Sequence, residues 1–268
     1  MRENNILITN DDGIDSPGIK AAVESVLDLG TVTVVAPTTQ QTGTGRGLTG
    51  DKRASLSPSD FMVKGVKVRA FHCDCSPALL VRHSLRAIFN SYTPNLLVSG
   101  INYGENLGSS VTCSGTVGAA LEAASFGIPS IAVSKQTDIE SHHVYTDQDW
   151  SASMYFLNYF SKLLLTQRTH DDVDVLKIDV PGNATKTTEW RMTNLAKSGY
   201  YNKELESISA DAPFNTGKTV IKFDQNMIDP NSDIYAFAIE RVVSVTPLSN
   251  DLTSRVNLSD LNLDFKNK

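Results

Sequence analysis

The sequence predicts a three-layer α/β domain: a mostly parallel sheet with helices on both faces. Short β-branched apolar runs alternate with amphipathic helical segments between residues 6 and 180, which is the pattern of βαβ units. Polar, glycine-containing loops follow three of the strands at residues 10–13, 37–50 and 99–116. In a parallel sheet such loops meet along one edge. The chain has 268 residues, 40% apolar and 20% charged, enough for a real core and too apolar for disorder.

The first strand is expected at residues 6–10, followed by the turn residue Gly13. Ser16-Pro17 supplies an N-cap and first-turn proline for a helix over 17–29, with Ile19, Val23, Val26 and Leu27 on one face. Residues 31–36 (TVTVVA) form a β-branched strand closed by Pro37, and a loop over 38–50 carries Gly43, Gly45, Gly47 and Gly50. Residues 62–71 give one or two short strands around Gly65, and Ser76-Pro77 opens a second helix reaching about residue 90. A buried strand at 96–99 precedes a loop with Gly100, Gly104 and Gly108, and a third helix opens at Ser114-Gly115-Thr116. Residues 130–134 form a buried strand, 150–165 an amphipathic helix and 175–180 the last strand of the series. After Pro181 the pattern changes. Residues 219–223 and 234–239 read as a β-hairpin-like pair, 242–245 as a further strand and 251–265 as a polar tail. The expected division is a catalytic core over 1–180 and a peripheral unit over 181–268 serving oligomer contacts.

The formal net charge of −6 argues against a duplex nucleic-acid surface. A single nucleotide stays possible, because a metal and backbone N–H groups neutralise phosphate locally. No apolar run has membrane-spanning length, and residues 1–5 leave no room for a signal peptide before the first strand. Cys73, Cys75 and Cys113 cannot make a complete disulfide framework, and the Cys73/Cys75 pair lacks a second pair for zinc. Reduced thiols and a cytoplasmic location are expected.

Asp11 and Asp12 at the end of a buried strand are costly unless a cation holds them. Adjacent strand residues point to opposite faces, so the two could share an ion only where the chain leaves the extended form, which Gly13 permits. The three loops offer oxygen ligands from Asp11, Asp12, Thr42 and Asn102. Carboxylate, hydroxyl and amide oxygens without imidazole or thiolate suit one hard divalent cation, Mg²⁺ or Mn²⁺. Ser114, Gly115 and Thr116 at a helix start provide hydroxyls and free N–H groups for an anion. Together these predict a metal-assisted phosphate site, although taken singly each motif also reads as a plain cap or turn.

Six blocks in order resemble the signature of the SurE (survival protein E) family: ILITNDDGIDSPG (6–18), VTVVAPTTQQTG (32–43), VSGINYGENLG (98–108), SGTVGAA (114–120), GIPSIAVS (127–134) and VSVTPLSNDLT (243–253). The resemblance implies a Rossmann-like core, with a C-terminal hairpin and tail used in homodimers or homotetramers. It also implies metal-dependent hydrolysis of nucleoside 5′- or 3′-monophosphates, a nucleotidase or acid phosphatase activity. The family's metal ligands map to Asp11, Asp12, Thr42 (for a Ser) and Asn102, and its phosphate contacts to Asn106, Ser114, Gly115 and Thr116. The expected catalytic set is then Asp11, Asp12, Asn106 and Ser114, with Thr42, Gly43 and Arg46 joining the phosphate contacts around the substrate.

Departures from the family pattern gather at the pocket edge. The usual A-P-D-R is Ala36-Pro37-Thr38-Thr39, and the G-S-L-T-like stretch is Arg46-Gly47-Leu48-Thr49. The G-T-P-A-D-C helix start is Cys75-Ser76-Pro77-Ala78-Leu79-Leu80. Ser109-Ser110 replaces an Asp pair, Cys113 a Tyr, and Glu105 stands where the family tends to have a small residue. A carboxylate there would repel phosphate unless it faces solvent or touches a ribose hydroxyl. Among the histidines, His142-His143 in the loop over 137–146 could border the pocket as a general acid; isolated surface imidazoles are the plainer reading for His72, His83 and His170. A non-catalytic nucleotide binder, a phosphatase of another monoester and a sugar-nucleotide transferase are the rival functions.

Overall fold

The computed structural model describes residues 4–167, 169–214 and 216–261. Its first elements are β1 (Asn5–Thr9), α1 (Pro17–Val26), β2 (Thr31–Pro37), β3 (Ser57–Val63), β4 (Val66–Cys73) and α2 (Pro77–Ala87). There follow β5 (Leu96–Tyr103), α3 (Gly115–Ala124), β6 (Ser130–Lys135), α4 (Ser151–Thr166) and β7 (Val175–Val180). The chain ends in β8 (Trp190–Met192), β9 (Tyr201–Glu204), β10 (Lys218–Ile221) and β11 (Val243–Leu248). Three helices start at serine caps, as their sequences dictate. Ser16 Oγ accepts from Gly18 N–H (3.2 Å), Ser76 Oγ from Leu79 N–H (3.4 Å) and Ser114 Oγ from Val117 N–H (3.1 Å).

Nine strands form one sheet in the order β3-β4-β2-β1-β5-β6-β7-β11-β8. Pairing is parallel from β4 through β7, while β3 on β4 and β11 on β7 are antiparallel. The chain moves from β1 out to β2, then restarts on the other side of β1 with β5. Strand order therefore reverses between β1 and β5, and a crevice opens at their carboxyl ends. Side-chain alternation builds the two flanking layers. Ile6, Ile8, Val34, Val98, Ile131 and Val133 pack with Ile19, Val23, Phe156 and Phe160 of α1 and α4. Leu7, Val35, Leu97 and Ala132 pack with Leu80, Val81, Val117 and Ala120 of α2 and α3.

Beyond residue 180 the expected pairing is corrected. Lys218–Ile221 pairs antiparallel with Tyr201–Glu204, not with residues 234–239. Tyr235–Ile239 is instead a short wide helical turn with adjacent Ala236 and Phe237 buried. Two successive buried side chains do not fit a half-buried strand, and six apolar-rich residues are too few for periodicity to separate the two forms. β11 and β8 extend the main sheet itself. Leu107, Ala196, Tyr200, Ile234 and Phe237 form a third cluster that seats the later chain on the loop after β5. Part of the expected polar tail, residues 262–265, lies outside the described residues. Among the described residues no helix is long and apolar enough to cross a membrane.

A buried ionic network ties the same loop down. Lys177 Nζ contacts Asp179 Oδ2 and, at 3.1 Å, Asp233 Oδ2. Asp179 Oδ1 accepts from Asn106 N–H (2.7 Å), Asp233 Oδ2 from Gly108 N–H (2.9 Å) and Asp233 Oδ1 from Ala196 N–H (3.0 Å). Burial presses Lys177 toward its neutral form, but the two carboxylates outweigh it and hold its pKa above the usual value.

Candidate active site

At the end of β1 the backbone turns sharply, with Gly13 at φ +110° and Asn10 closing the turn. Asn10 Nδ2 donates to Gly13 O (2.9 Å) and Gly13 N–H donates to Asn10 Oδ1 (3.2 Å). Asp11 is 5% exposed and Asp12 2%. Asp11 Oδ1 accepts from Thr116 Oγ1 at 2.5 Å. Asp12 Oδ2 accepts from Tyr103 N–H (3.1 Å) and Asp12 Oδ1 from Gln40 Nε2 (3.3 Å). Burial pushes the Asp11 pKa up, against the Thr116 hydroxyl and nearby backbone donors that favour its charged form. Burial and then the Asp11 charge push Asp12 well above the carboxylate range. Among the described residues no cationic side chain relieves either group.

This buried, mutually repelling pair fits a cation. Asp11, Thr42, Gly43, Asn102, Asn106 and Ser114 share one cleft of about 200 Å³. Asn102 Nδ2 donates to Gly104 O (2.7 Å), which leaves its carbonyl oxygen for a ligand role. Among the described residues no group of three or more His, Cys, Asp or Glu side chains gathers for a metal. Asp12 does not line this cleft, its carboxylate being turned onto Tyr103 N–H and Gln40. The oxygen donors of Asp11, Thr42 and Asn102 that do line it are of the kind that suits a hard cation such as Mg²⁺ or Mn²⁺ rather than zinc.

The amino end of α3 closes the other side. Gly115 comes so near Asp11 that an added Cβ would stand 2.7 Å from Asp11 Cβ and Oδ2. Ser114 lines the cleft, and its oxygen already accepts from Val117 N–H, leaving the hydroxyl proton for an incoming acceptor. Thr116 is fully buried and spends its hydroxyl on Asp11. Arg46 is not brought to the site. Its Nε pairs with Glu122 Oε2 (2.9 Å) and its Nη1 donates to Asn250 Oδ1 (2.7 Å), because buried Glu122 on α3 demands cations and draws Arg82 as well.

A family model described as Survival protein SurE matches residues 6–202. The chain belongs to the SurE family. It is 39% identical over 257 residues to the 5′-nucleotidase SurE of Thermococcus kodakarensis, covering 96% of each chain. It is 35% identical over 263 residues to the 5′-nucleotidase SurE of Methanothrix thermoacetophila, covering 96% of each. The crystal structure of a SurE protein from Aquifex aeolicus superposes with a TM-score of 0.72 at 28% identity, over 97% of this chain and 99% of that one. The mostly parallel, helix-flanked sheet with its small separate hairpin is the SurE architecture.

Several residues of this SurE site escaped the sequence reading. Tyr103 holds Asp12 through its backbone N–H, and Tyr145 Oη donates to Asp12 O (2.5 Å). Gln40 bridges Asp12 and His142 O (2.6 Å). Tyr201 lines the cleft beside His142 and Glu105. None of these has a local motif; only the position of Gln40 in the second ligand loop hinted at proximity. His142 does border the cleft, as its loop allowed.

Proposed function

We propose that this SurE-family chain is a divalent-metal-dependent phosphomonoesterase that hydrolyses nucleoside monophosphates to nucleoside and phosphate. One observation carries the reading: of two adjacent buried carboxylates without a protein cation, Asp11 lines a small cleft that Ser114 at the capped amino end of a helix also borders. The printed names of the full-length relatives, 5′-nucleotidase, favour 5′-monophosphates as substrates.

Asp11, Asp12, Thr42 and Asn102 would hold one Mg²⁺ or Mn²⁺. When bound, such an ion supplies Lewis acidity toward a phosphoryl oxygen and makes water more acidic. Thr116 and the Tyr103 N–H fix the two carboxylates in place before substrate arrives. Ser114 and Asn106 offer donors to the equatorial oxygens, where charge builds in the transition state. Asn106 Nδ2 donates to Ser134 Oγ (2.9 Å) and its backbone is held by Asp179, so the residue is set without substrate. Asp11 or Asp12, besides holding the ion, would orient the attacking water or take its proton. Exposed Ile208, Phe214 and Met227 lie beyond residue 180; they support a homodimer or homotetramer built through that part of the chain.

The test is phosphate release from a panel of nucleoside monophosphates with Mn²⁺ or Mg²⁺ and with EDTA. Release that EDTA abolishes and Asp12→Asn lowers by ~100-fold or more is expected, the scale of losing a group that acts on the transition state. Equal release with EDTA would end the metal reading, and no release from any nucleotide would end the nucleotidase reading.

A further inference from the structure

The cleft has a second wall that the metal and phosphate chemistry does not use. Glu105, His142 and Tyr201 line it. Each carries a buried polar atom that makes no well-formed hydrogen bond among the described residues, Glu105 Oε2, His142 Nε2 and Tyr201 Oη, although the Tyr201 and Tyr200 hydroxyls stand close enough to the Glu105 carboxyl to favour its charged form. Buried polar groups are nearly always well paired, so a wall where His142 Nε2 is unpaired and Glu105 meets only tyrosine hydroxyls in poor geometry needs an explanation. Glu105 is the most telling, since its side chain is only 4% exposed and its neighbours in chain, Gly104 and Asn106, both border the cleft.

The wall is built from three separate stretches and is held in position. Glu105 precedes Asn106, whose backbone N–H is fastened to Asp179. The His142 ring lies on the backbone of Gly104, where an added Cβ would fall 2.4 Å from Nε2. Tyr201, at the start of β9, meets the imidazole edge-on with centroids 5.8 Å apart. The adjacent Tyr200 is buried in the third apolar cluster and anchors this stretch.

Its chemistry is wrong for a phosphate and right for hydroxyl groups. A carboxyl group would oppose an anion rather than bind it. Burial raises the Glu105 pKa to about 7, so near neutrality the group both accepts and donates hydrogen bonds. Burial, then His143, lowers the His142 pKa, and the Thr137 backbone engages the ring while Nε2 stays unpartnered. A neutral imidazole held this way presents Nε2 as an acceptor. The Tyr201 hydroxyl can donate or accept. A vicinal diol offers two hydroxyl donors that are also acceptors, and acidic side chains commonly recognise ribose in this way.

We propose that Glu105, His142 and Tyr201 form a sugar subsite, with Glu105 Oε2 and His142 Nε2 accepting from the ribose hydroxyls and Tyr201 Oη donating. The site then selects ribonucleoside over 2′-deoxyribonucleoside monophosphates. This inference rests on the nucleotidase reading above and adds the specificity residues to it.

The experiment compares kcat/KM for adenosine 5′-monophosphate and its 2′-deoxy analogue, with p-nitrophenyl phosphate as a sugar-free ester and Mn²⁺ present throughout. The wild-type protein is expected to favour the ribonucleotide by ~10-fold or more, the size of one good hydrogen bond to a charged group. Glu105→Ala and, separately, Tyr201→Phe should each shrink that ratio by ~3-fold or more. Glu105→Gln, which preserves shape, should give an intermediate value and serves if the alanine variant fails to fold. An unchanged ratio in folded variants, or a wild-type ratio near one with both nucleotides hydrolysed, overturns the sugar subsite and leaves the nucleotidase standing. Cleavage of p-nitrophenyl phosphate with neither nucleotide touched overturns both.

Discussion

Thr116→Val separates two roles for a residue that the family pattern places on phosphate and the structure places on Asp11. Valine matches threonine in shape and removes only the hydroxyl, whose 2.5 Å bond to Asp11 Oδ1 is fully buried. A hydrogen bond to a charged group is worth about 1.5–3 kcal/mol. Misorienting a metal ligand through its supporting partner typically costs about 10- to 100-fold in metal affinity, which agrees with that energy at about 1.4 kcal/mol per factor of ten. The assay is phosphate release titrated with Mn²⁺, alongside calorimetric metal binding. The Mn²⁺ midpoint should rise by about 10- to 100-fold, with most of kcat recovered at saturating metal and KM little changed. The defect should deepen as pH falls. A carboxylate must be deprotonated to hold a cation, and Thr116 is one of the groups that lower the Asp11 pKa. A folded variant with an unchanged Mn²⁺ midpoint would refute the reasoning. A raised KM at an unchanged midpoint would return Thr116 to the phosphate.

Two further outcomes follow from charges the fold buries. Asp11 and Asp12 have folded-state pKa values raised above the ordinary 3.8. Their contribution is therefore most favourable below that value and is lost as pH rises through the raised values. In EDTA the melting temperature should fall as pH climbs through that window, and Mn²⁺ should raise it more at pH 8 than at pH 5; equal metal shifts at both would show that the pair does not bind the ion. Arg46→Ala leaves buried Glu122 with Arg82 alone. Because Arg46 is 38% exposed, solvent screening limits the loss, and chemical denaturation should register about 1–2 kcal/mol. KM for nucleotide should move less than about twofold, whereas a tenfold rise, roughly one good hydrogen bond, would put Arg46 on the substrate.

Residues 6–18 show what a local signal can decide. The apolar run of the first strand, the serine cap with its proline and the turn at Gly13 are all written within a few residues, and each appears where expected. The caps of α2 and α3 did the same for their helices. The meeting of the three loops was also legible, because parallel strands must put their following loops on one edge, and Asp11, Thr42, Asn102 and Ser114 do share a cleft, though Asp12 does not line it. The later chain was not legible in this way. The turn at Tyr235–Ile239 is apolar at nearly every position, so neither period could be read from it.

The sequence by itself determined the α/β class, the order of the core elements and the oxygen-rich character of the loops at the sheet edge, since these depend on periodicity, caps and residue type within short spans. Only the tertiary structure decided which buried group satisfies which. It gave the Thr116 hydroxyl to Asp11 across 105 positions and Gly108 N–H to Asp233 across 125, and it drew Arg46 to Glu122. A buried charge takes whatever partner the packed chain brings within hydrogen-bond reach, and that proximity is a property of the strand order, which no local pattern encodes.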